Sequence, residues 1–308
     1  MEGVRLGPFT VSVLAADSMG VRSLATLVDA CGTLIGLDLG ASLAPRRYGL
    51  PPHELELRAL DAAMERVREG ISEAQAITIT HYHYDHYVRD QPELYAGKTL
   101  FVKHPTKDIN WSQRLRARRF LVQGGVEKAA RVSYADGGSF DVNGVRLEFS
   151  EPVWHGEPNT PVGRLVMVRV SCGDEHMVFA SDVQGPADSA AVSRLLSWAG
   201  ARALILSGPP TYFAGFKVPE EAVRAGLQGL LSLVRARVAD VIVVDHHLLR
   251  DLSYREHLAE HLRAAEESGV RLVNAAEFMG VEVRQLEAMR RDLWGRGGEG
   301  EQTEEEAE

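Results

Sequence analysis

The sequence predicts a layered α/β fold with sheets inside and helices outside. Short apolar or alternating runs read as strands up to Asp38 and again between residues 100 and 180, while strand and helix patterns alternate through the last third. The composition agrees: of 308 residues, 45% are apolar and 25% charged, which excludes a disordered, collagen-like or membrane-spanning chain. About 300 residues bury a sizeable core as one large domain or two small ones. No apolar stretch approaches the length a bilayer span needs.

Residues 9–14, 24–28 and 32–39 read as strands, the last ending in Leu37-Asp38-Leu39-Gly40. Helical periodicity runs over 53–69 and is closed by Gly70. Residues 76–80, Ala-Ile-Thr-Ile-Thr, are rich in β-branched side chains and run directly into a group of histidines. Further strands are expected at 100–102, 131–134, 145–149, 165–170 and 177–180. Helices over 190–199, 220–236 and 254–267 then lead in turn to strands at 203–206, 241–244 and 270–273. The Pro/Gly-rich interruptions at 44–52 and 207–215 are too short to be linkers, so a single domain over 1–294 is expected.

The net charge is −9, from 34 basic and 43 acidic residues. Five of those nine charges belong to residues 295–308, which hold six glutamates and one arginine and read as an acidic disordered tail. Cys31 and Cys172 are far apart with no partner at metal-binding spacing, so two reduced thiols are expected. The opening residues, Met1-Glu2-Gly3-Val4-Arg5, lack the basic region and apolar run of a signal peptide, which points to a cytoplasmic protein.

The most specific feature is His81-Tyr82-His83-Tyr84-Asp85-His86, immediately after the strand at 76–80. Four metal-competent side chains within six residues would be costly to bury without partners. On an extended or turning backbone, 81 and 83 face one point while 85 and 86 come round to a second, so two adjacent metal positions follow from spacing. Imidazole and carboxylate donors without thiolate suit Zn²⁺, Mn²⁺ or Fe²⁺. Further candidates each follow a strand or short apolar segment: His155 in Val153-Trp154-His155, Asp182 in Ala180-Ser181-Asp182, and His246 with His247 after Val244-Asp245. Polar residues at strand ends are where α/β folds gather their sites.

In these motifs the chain resembles the metallo-β-lactamase superfamily over nearly all of 1–294. Within it, the stretches 42–52, 181–186 and 245–251 resemble a largely archaeal family of predicted metal-dependent hydrolases. The resemblance implies a four-layer αββα sandwich and a two-metal site. His81, His83 and His155 would hold one ion, and Asp85, His86 and the last histidine the other, with Asp182 bridging. The last ligand would be His246 rather than His247, leaving His247 and Asp38 to support the ligands, Asp38 from beneath the first cluster. The ions would be divalent, zinc favoured over manganese or iron. They would supply a bridging hydroxide as nucleophile, with Asp85 and Asp182 holding it.

Hydrolysis of a phosphodiester or phosphate ester is therefore expected, on a small-molecule or nucleic-acid substrate. The alternatives are a lactone or thioester hydrolase on the same metals, or a nucleic-acid-binding protein with little catalysis. The interval between Asp182 and His246 is too short for the inserted domain of the superfamily's RNA-processing nucleases. Candidate substrate contacts are Arg46, Arg47 and Tyr48 after the first-motif strand, Tyr84 in the histidine motif, and Tyr212 after the strand at 203–206. The basic run 113–119 reads as a helix, either phosphate-binding or a solvated face. Lys103 and His104 could serve the site or cap a strand, and His257 with His261 reads as a surface-helix pair. Tyr84, Tyr212 and His247 are the candidates for a general acid.

Overall fold

The computed structural model describes residues 3–295. The acidic tail expected over 295–308 therefore lies, from residue 296 onward, outside the described residues. Seven strands form the first sheet, and their order in the sheet is their order in the chain: β1 (Val4–Leu6), β2 (Phe9–Val13), β3 (Thr26–Ala30), β4 (Thr33–Leu37), β5 (Ala76–Ile79), β6 (Thr99–Val102) and β7 (Arg131–Tyr134). The second sheet begins with β8 (Ser139–Val142) and β9 (Val145–Phe149). A small ribbon of β10 (Val153–Trp154) and β11 (Arg164–Leu165) intervenes. It is followed by β12 (Val168–Cys172), β13 (Glu175–Ser181), β14 (Ala201–Ser207), β15 (Ala239–Asp245) and β16 (Arg271–Val273). The order of this sheet is β16-β15-β14-β13-β12-β9-β8.

Each sheet has an antiparallel half and a parallel half. In the first, β4, β5, β6 and β7 pair in parallel; in the second, β13, β14, β15 and β16 do. The parallel strands are continuous apolar runs because both their faces are covered. In β14, Ala203 and Ile205 enter the core between the sheets while Leu204 and Leu206 pack against the outer helices; Val241 and Val243 of β15 divide from Ile242 and Val244 in the same way. The outer core of the second sheet takes Leu195, Leu230, Leu233 and Val234 from the helices Ser189–Ser197 and Glu220–Arg235. On the far side, Ala63, Val67 and Ile71 of the helix Glu54–Glu73 cover Ile77 and Ile79 of β5. Three apolar layers separating four layers of structure make the αββα sandwich.

Several local features depart from the sequence reading. The long helix begins at Glu54, with His53 as its cap: His53 Nδ1 accepts from Leu55 N, and His53 N donates to Glu56 Oε2 at 2.8 Å. The strand expected over 165–170 is broken at Val166 and Met167, and the helix expected over 254–267 divides into Tyr254–His257 and Ala259–Ser268. The cysteines are not reduced. Cys31 in the β3–β4 turn and Cys172 at the end of β12 form a disulfide across 141 residues, with their Cα atoms 6.2 Å apart. Face-to-face packing of the sheets brings them together, which linear spacing does not reveal. Among the described residues, no helix is long and apolar enough to cross a membrane.

Candidate metal centre

The histidine motif leaves the end of β5, and Asp38 leaves the end of the neighbouring strand β4 with a left-handed φ of 48°. Asp38 is fully buried and saturated with donors. Its Oδ1 accepts from Thr80 N at 2.8 Å, and its Oδ2 from the hydroxyls of Thr80 (2.5 Å) and Ser181 (2.8 Å) and from His86 Nδ1 (3.0 Å). Since the Thr80 proton goes to Asp38, Thr80 Oγ1 is left to accept from His81 Nδ1, 3.0 Å away. Both histidines thus carry their proton on Nδ1 and turn Nε2 into the site. Asp38 thus supports His86 directly and His81 through one hydroxyl, both within the histidine motif it is expected to orient. Gly40, two residues on, admits the backbone of His86 and Tyr87 so closely that a Cβ there would strike it.

His155 and Asp182 come from the second sheet. His155 follows β10; Asp182 follows β13 directly after Ser181, whose φ is 50°. Asp182 Oδ2 stands 3.0 Å from His155 Nε2, 3.3 Å from His86 Nε2, 3.3 Å from His246 Nε2, 3.7 Å from His81 Nε2 and 3.9 Å from His247 Nε2. One carboxylate oxygen is the hub of five imidazoles. The His83 ring lies beside those of His81 and His155, at 4.5 and 4.8 Å between centroids. Gln184 backs His155, with its amide 3.3 Å from Nδ1. Gly226, in the helix Glu220–Arg235, lets that helix approach the backbone of Gln184 without a clashing Cβ.

His246 follows β15, again with a left-handed φ, 59°. Its Nε2 is 3.4 Å from Asp85 Oδ2, and its Nδ1 donates to Asp17 Oδ2 at 2.6 Å. Arg250 completes this corner: Nε donates to Asp17 Oδ1 at 2.8 Å, and Nη2 lies 3.3 and 3.2 Å from the two ring nitrogens of His246. Asp245 supports the turn from below, accepting from Ser18 N and His246 N with one oxygen and Ala275 N with the other. Left-handed backbone at Asp38, Ser181, Gln184 and His246 marks the ends of β4, β13 and β15 and the loop after β13, from which part of the site is built.

Among the described residues, the close ligand atoms form four groups, His81–His83–His155–Asp182, Asp38–His81–His86, Asp85–His86–His246 and Asp182–His246–His247, which overlap through His81, His86, Asp182 and His246. Electrostatics within them are strongly polarised. Burial, with His86 and His83 nearby, pushes His81 well below the ordinary imidazole range; burial does the same to His83 and His247. Burial opposes protonation of His246, yet Asp182 and Asp17 overcome it and raise the ring to about 9. His86 is likewise raised against burial, by Asp182 and Asp85. Asp182 is held well below the carboxylate range because His246, His86 and His247 outweigh its burial. Three buried atoms aimed into the cluster, His81 Nε2, His86 Nε2 and Asp182 Oδ1, make no hydrogen bond. Orphaned imidazole nitrogens around a carboxylate hub are what a divalent cation would satisfy, so the donor set fits a metal.

Of the candidate substrate contacts, the structure assembles Arg47, Tyr48 and Tyr212: the buried guanidinium of Arg47 lies 4.6 and 4.3 Å from the two ring centroids, and Nη2 donates to the Arg250 carbonyl. Arg46 is instead exposed. Tyr84 sits between the guanidinium groups of Arg89 and Arg116, at 4.1 and 4.5 Å. The basic helix is short, Trp111–Ala117, and passes into a wider turn over Arg118–Gln123. Lys103 and His104 belong to the scaffold: Lys103 Nζ and the His104 amide share the carboxylate of Asp136. His257 is exposed and lies 3.2 Å from Asp251, but His261 is buried against the Leu227 carbonyl and is not a surface residue.

Asp17, Arg250, Thr80, Ser181 and Gln184 were not singled out from sequence. Thr80 and Ser181 directly precede motif residues, a signal that was available. Asp17 lies 229 residues from its histidine, with no local pattern to mark it.

Two sheets packed face to face, with imidazoles and carboxylates gathered where strands end, define an αββα protein with a candidate metal centre. A family model described as the metallo-beta-lactamase superfamily matches residues 27–246. The chain is 50% identical over 293 residues to a UPF0282 protein of Aeropyrum pernix, covering 94% of this chain and 99% of that one. It is 38% identical to the UPF0282 protein MK0213 of Methanopyrus kandleri, covering 92% and 98%. The chain thus belongs to the metallo-beta-lactamase superfamily and, within it, to the family of these archaeal UPF0282 proteins. Among solved structures, the metallo-beta-lactamase fold protein YhfI from Bacillus subtilis matches with a TM-score of 0.51 at 14% identity, over 87% of this chain and 96% of that one. An isothiocyanate hydrolase from Delia radicum gut bacteria matches with 0.50 at 13% identity, over 83% and 95%. These two likenesses show the fold.

Proposed function

We propose that this protein is a dinuclear metal-dependent hydrolase acting on an anionic, phosphoryl-containing ester. The observation that carries the reading is the convergence of five imidazole nitrogens on Asp182 Oδ2 within 3.0–3.9 Å. His81, His83 and His155 would hold one ion and Asp85, His86 and His246 the other, with Asp182 shared. His246 is preferred to His247 because its Nε2 faces both Asp85 and Asp182 while its Nδ1 is anchored on Asp17. Two divalent ions, zinc being favoured by the imidazole-rich donor set, supply Lewis acidity and activate water near neutral pH.

The chain's own residues do the rest. Asp38 and Thr80 fix the tautomers of His86 and His81, so that both present Nε2. Asp182 stays ionised in its ring of imidazoles and keeps a lone pair for each metal position. His247, held neutral by burial and with 13% of its side chain exposed, can hydrogen-bond a substrate oxygen through Nε2. Arg47, buried against Tyr48 and Tyr212 with Nη2 on the Arg250 carbonyl, adds fixed positive charge to this corner, which is compatible with an anionic, phosphoryl-bearing substrate.

The test combines metal quantification with a screen of phosphodiesters, phosphomonoesters, lactones and thioesters in Zn²⁺ or Mn²⁺. Two ions per chain and turnover of a phosphoester are expected, with His81→Ala and Asp182→Ala each losing metal and more than about a hundredfold in turnover. Fewer than one ion per chain in the metal-supplemented, folded protein, or unchanged turnover in both variants, overturns the assignment.

A further inference from the structure

The two groups of ligands are supported by different chemistry. Around His81–His83–His155 the supporting partners are neutral: the Thr80 hydroxyl on His81 and the Gln184 amide on His155. Around Asp85–His86–His246 they are ionic: Asp38 on His86, Asp17 on His246, and Arg250 on both Asp17 and the His246 ring. Asp17 and Arg250 are both buried, at 5% exposure each, so their charges act at short range in a poorly hydrated corner. Arg250 Nη2 lies nearly equidistant from the two ring nitrogens, at 3.3 and 3.2 Å, and so packs against the ring, while the tautomer is set by Asp17, which accepts from Nδ1. The same guanidinium reaches to 3.9 Å from Asp85 Oδ2, a second donor of that group.

We propose that Asp17 and Arg250 form a positioning pair that makes the second metal position chemically distinct from the first. The proposal rests on the reading of the site as a two-metal centre. Asp17 supplies negative charge to the far side of His246 and makes its Nε2 a stronger donor, as carboxylate partners of metal-bound histidines do. Arg250 holds Asp17 to that task, offsets its charge, and keeps both His246 and Asp85 turned toward one point. Neither residue has a hydrogen bond or ion pair to His81, His83 or His155, so the pair acts first on the second position, and reaches the other only through the shared Asp182. The pair is also fixed from outside the site: the Ser18 amide and hydroxyl tie the Asp17 turn to Asp245 and Ala276.

The experiment titrates metal-free protein with Co²⁺ and follows the visible bands of the first and second equivalents, with stoichiometry from equilibrium dialysis. In wild type, two equivalents with distinguishable spectra are expected. In Asp17→Asn, which keeps shape and an acceptor but loses the charge, the second equivalent weakens roughly 10-fold or more, and in Asp17→Ala by up to roughly 100-fold. Arg250→Lys, which keeps charge without the fork, alters the band shape of the second equivalent; in all three variants the first equivalent keeps its spectrum. Gln184→Ala gives the mirror result, perturbing the first equivalent alone. A second equivalent with wild-type affinity and spectrum in both Asp17→Asn and Arg250→Lys overturns the pairing, and the near-isosteric Asp17→Asn decides this even if the alanine variant does not fold. A wild-type protein that takes up only one ion instead overturns the two-metal reading, before any variant is compared.

Discussion

Asp38 Oδ2 lies 3.0 Å from His86 Nδ1 and takes the Thr80 and Ser181 hydroxyls on the same oxygen. One side chain thereby joins the ends of β4, β5 and β13, strands from both sheets. Replacing it with alanine strands three buried donors and one imidazole at once. Asp38→Ala should cost about 3 kcal/mol or more of stability, read from urea unfolding of the metal-free protein, and should lower metal content in the fraction that folds. An unfolding midpoint like that of wild type would show that the hub bears little load.

The pH dependence of the metal-free protein should be set by histidines pulled in opposite directions. His246 is raised to about 9 in the fold, so its stabilising contribution is fully present below its ordinary 6.5 and is lost as pH rises through about 9. His81, His83 and His247 are lowered, so they penalise the fold as pH falls below 6.5. Asp182 is also lowered, and its contribution is lost only on further acidification, through and below the carboxylate range. Melting curves should therefore show stability falling between about pH 7 and 9.5 in the metal-free protein, and a much flatter profile once metal replaces the His246 proton. A flat profile without metal would contradict this.

The Cys31–Cys172 disulfide closes a loop of 141 residues at the β3–β4 turn, the opposite end of β4 from Asp38. Reduction, or Cys31→Ser with Cys172→Ser, should lower stability by about 2–4 kcal/mol while leaving metal stoichiometry unchanged. Thermal melts with and without reductant, paired with metal analysis, check both halves of the expectation.

Arg47 is buried against two aromatic rings, with Nη2 on the Arg250 carbonyl. Against whichever phosphoester the screen finds, Arg47→Ala should raise KM roughly tenfold or more with a smaller effect on kcat. Arg47→Lys should not restore it, because an ammonium lacks the planar fork that stacks and bridges. An unchanged KM in both variants would remove Arg47 from substrate recognition.

Much of the site was legible because its donors sit at strand ends within short motifs. The H-x-H-x-D-H segment, His155, Asp182 and His246 are each brought to the cluster by the strand or ribbon that precedes them. The apolar runs of β14 and β15 announced strands covered on both faces for the same local reason. Illegible features were those made by tertiary approach alone: Asp17 beside His246, Arg250 over its ring, and Cys31 against Cys172. Arg46 and Arg47 show the limit in miniature. Adjacent and chemically identical in sequence, one is exposed and the other buried between tyrosines.

The disulfide has a topological consequence beyond stability. Asp38, His81, His83, Asp85, His86 and His155 all lie inside the covalent ring closed by Cys31 and Cys172, whereas Asp182 and His246 lie outside it. A protease cut anywhere within the ring, for instance among the exposed residues after His155, opens it without releasing a fragment. The nicked protein remains one covalent molecule, with both contributing sheets still tethered, until a reductant separates the pieces.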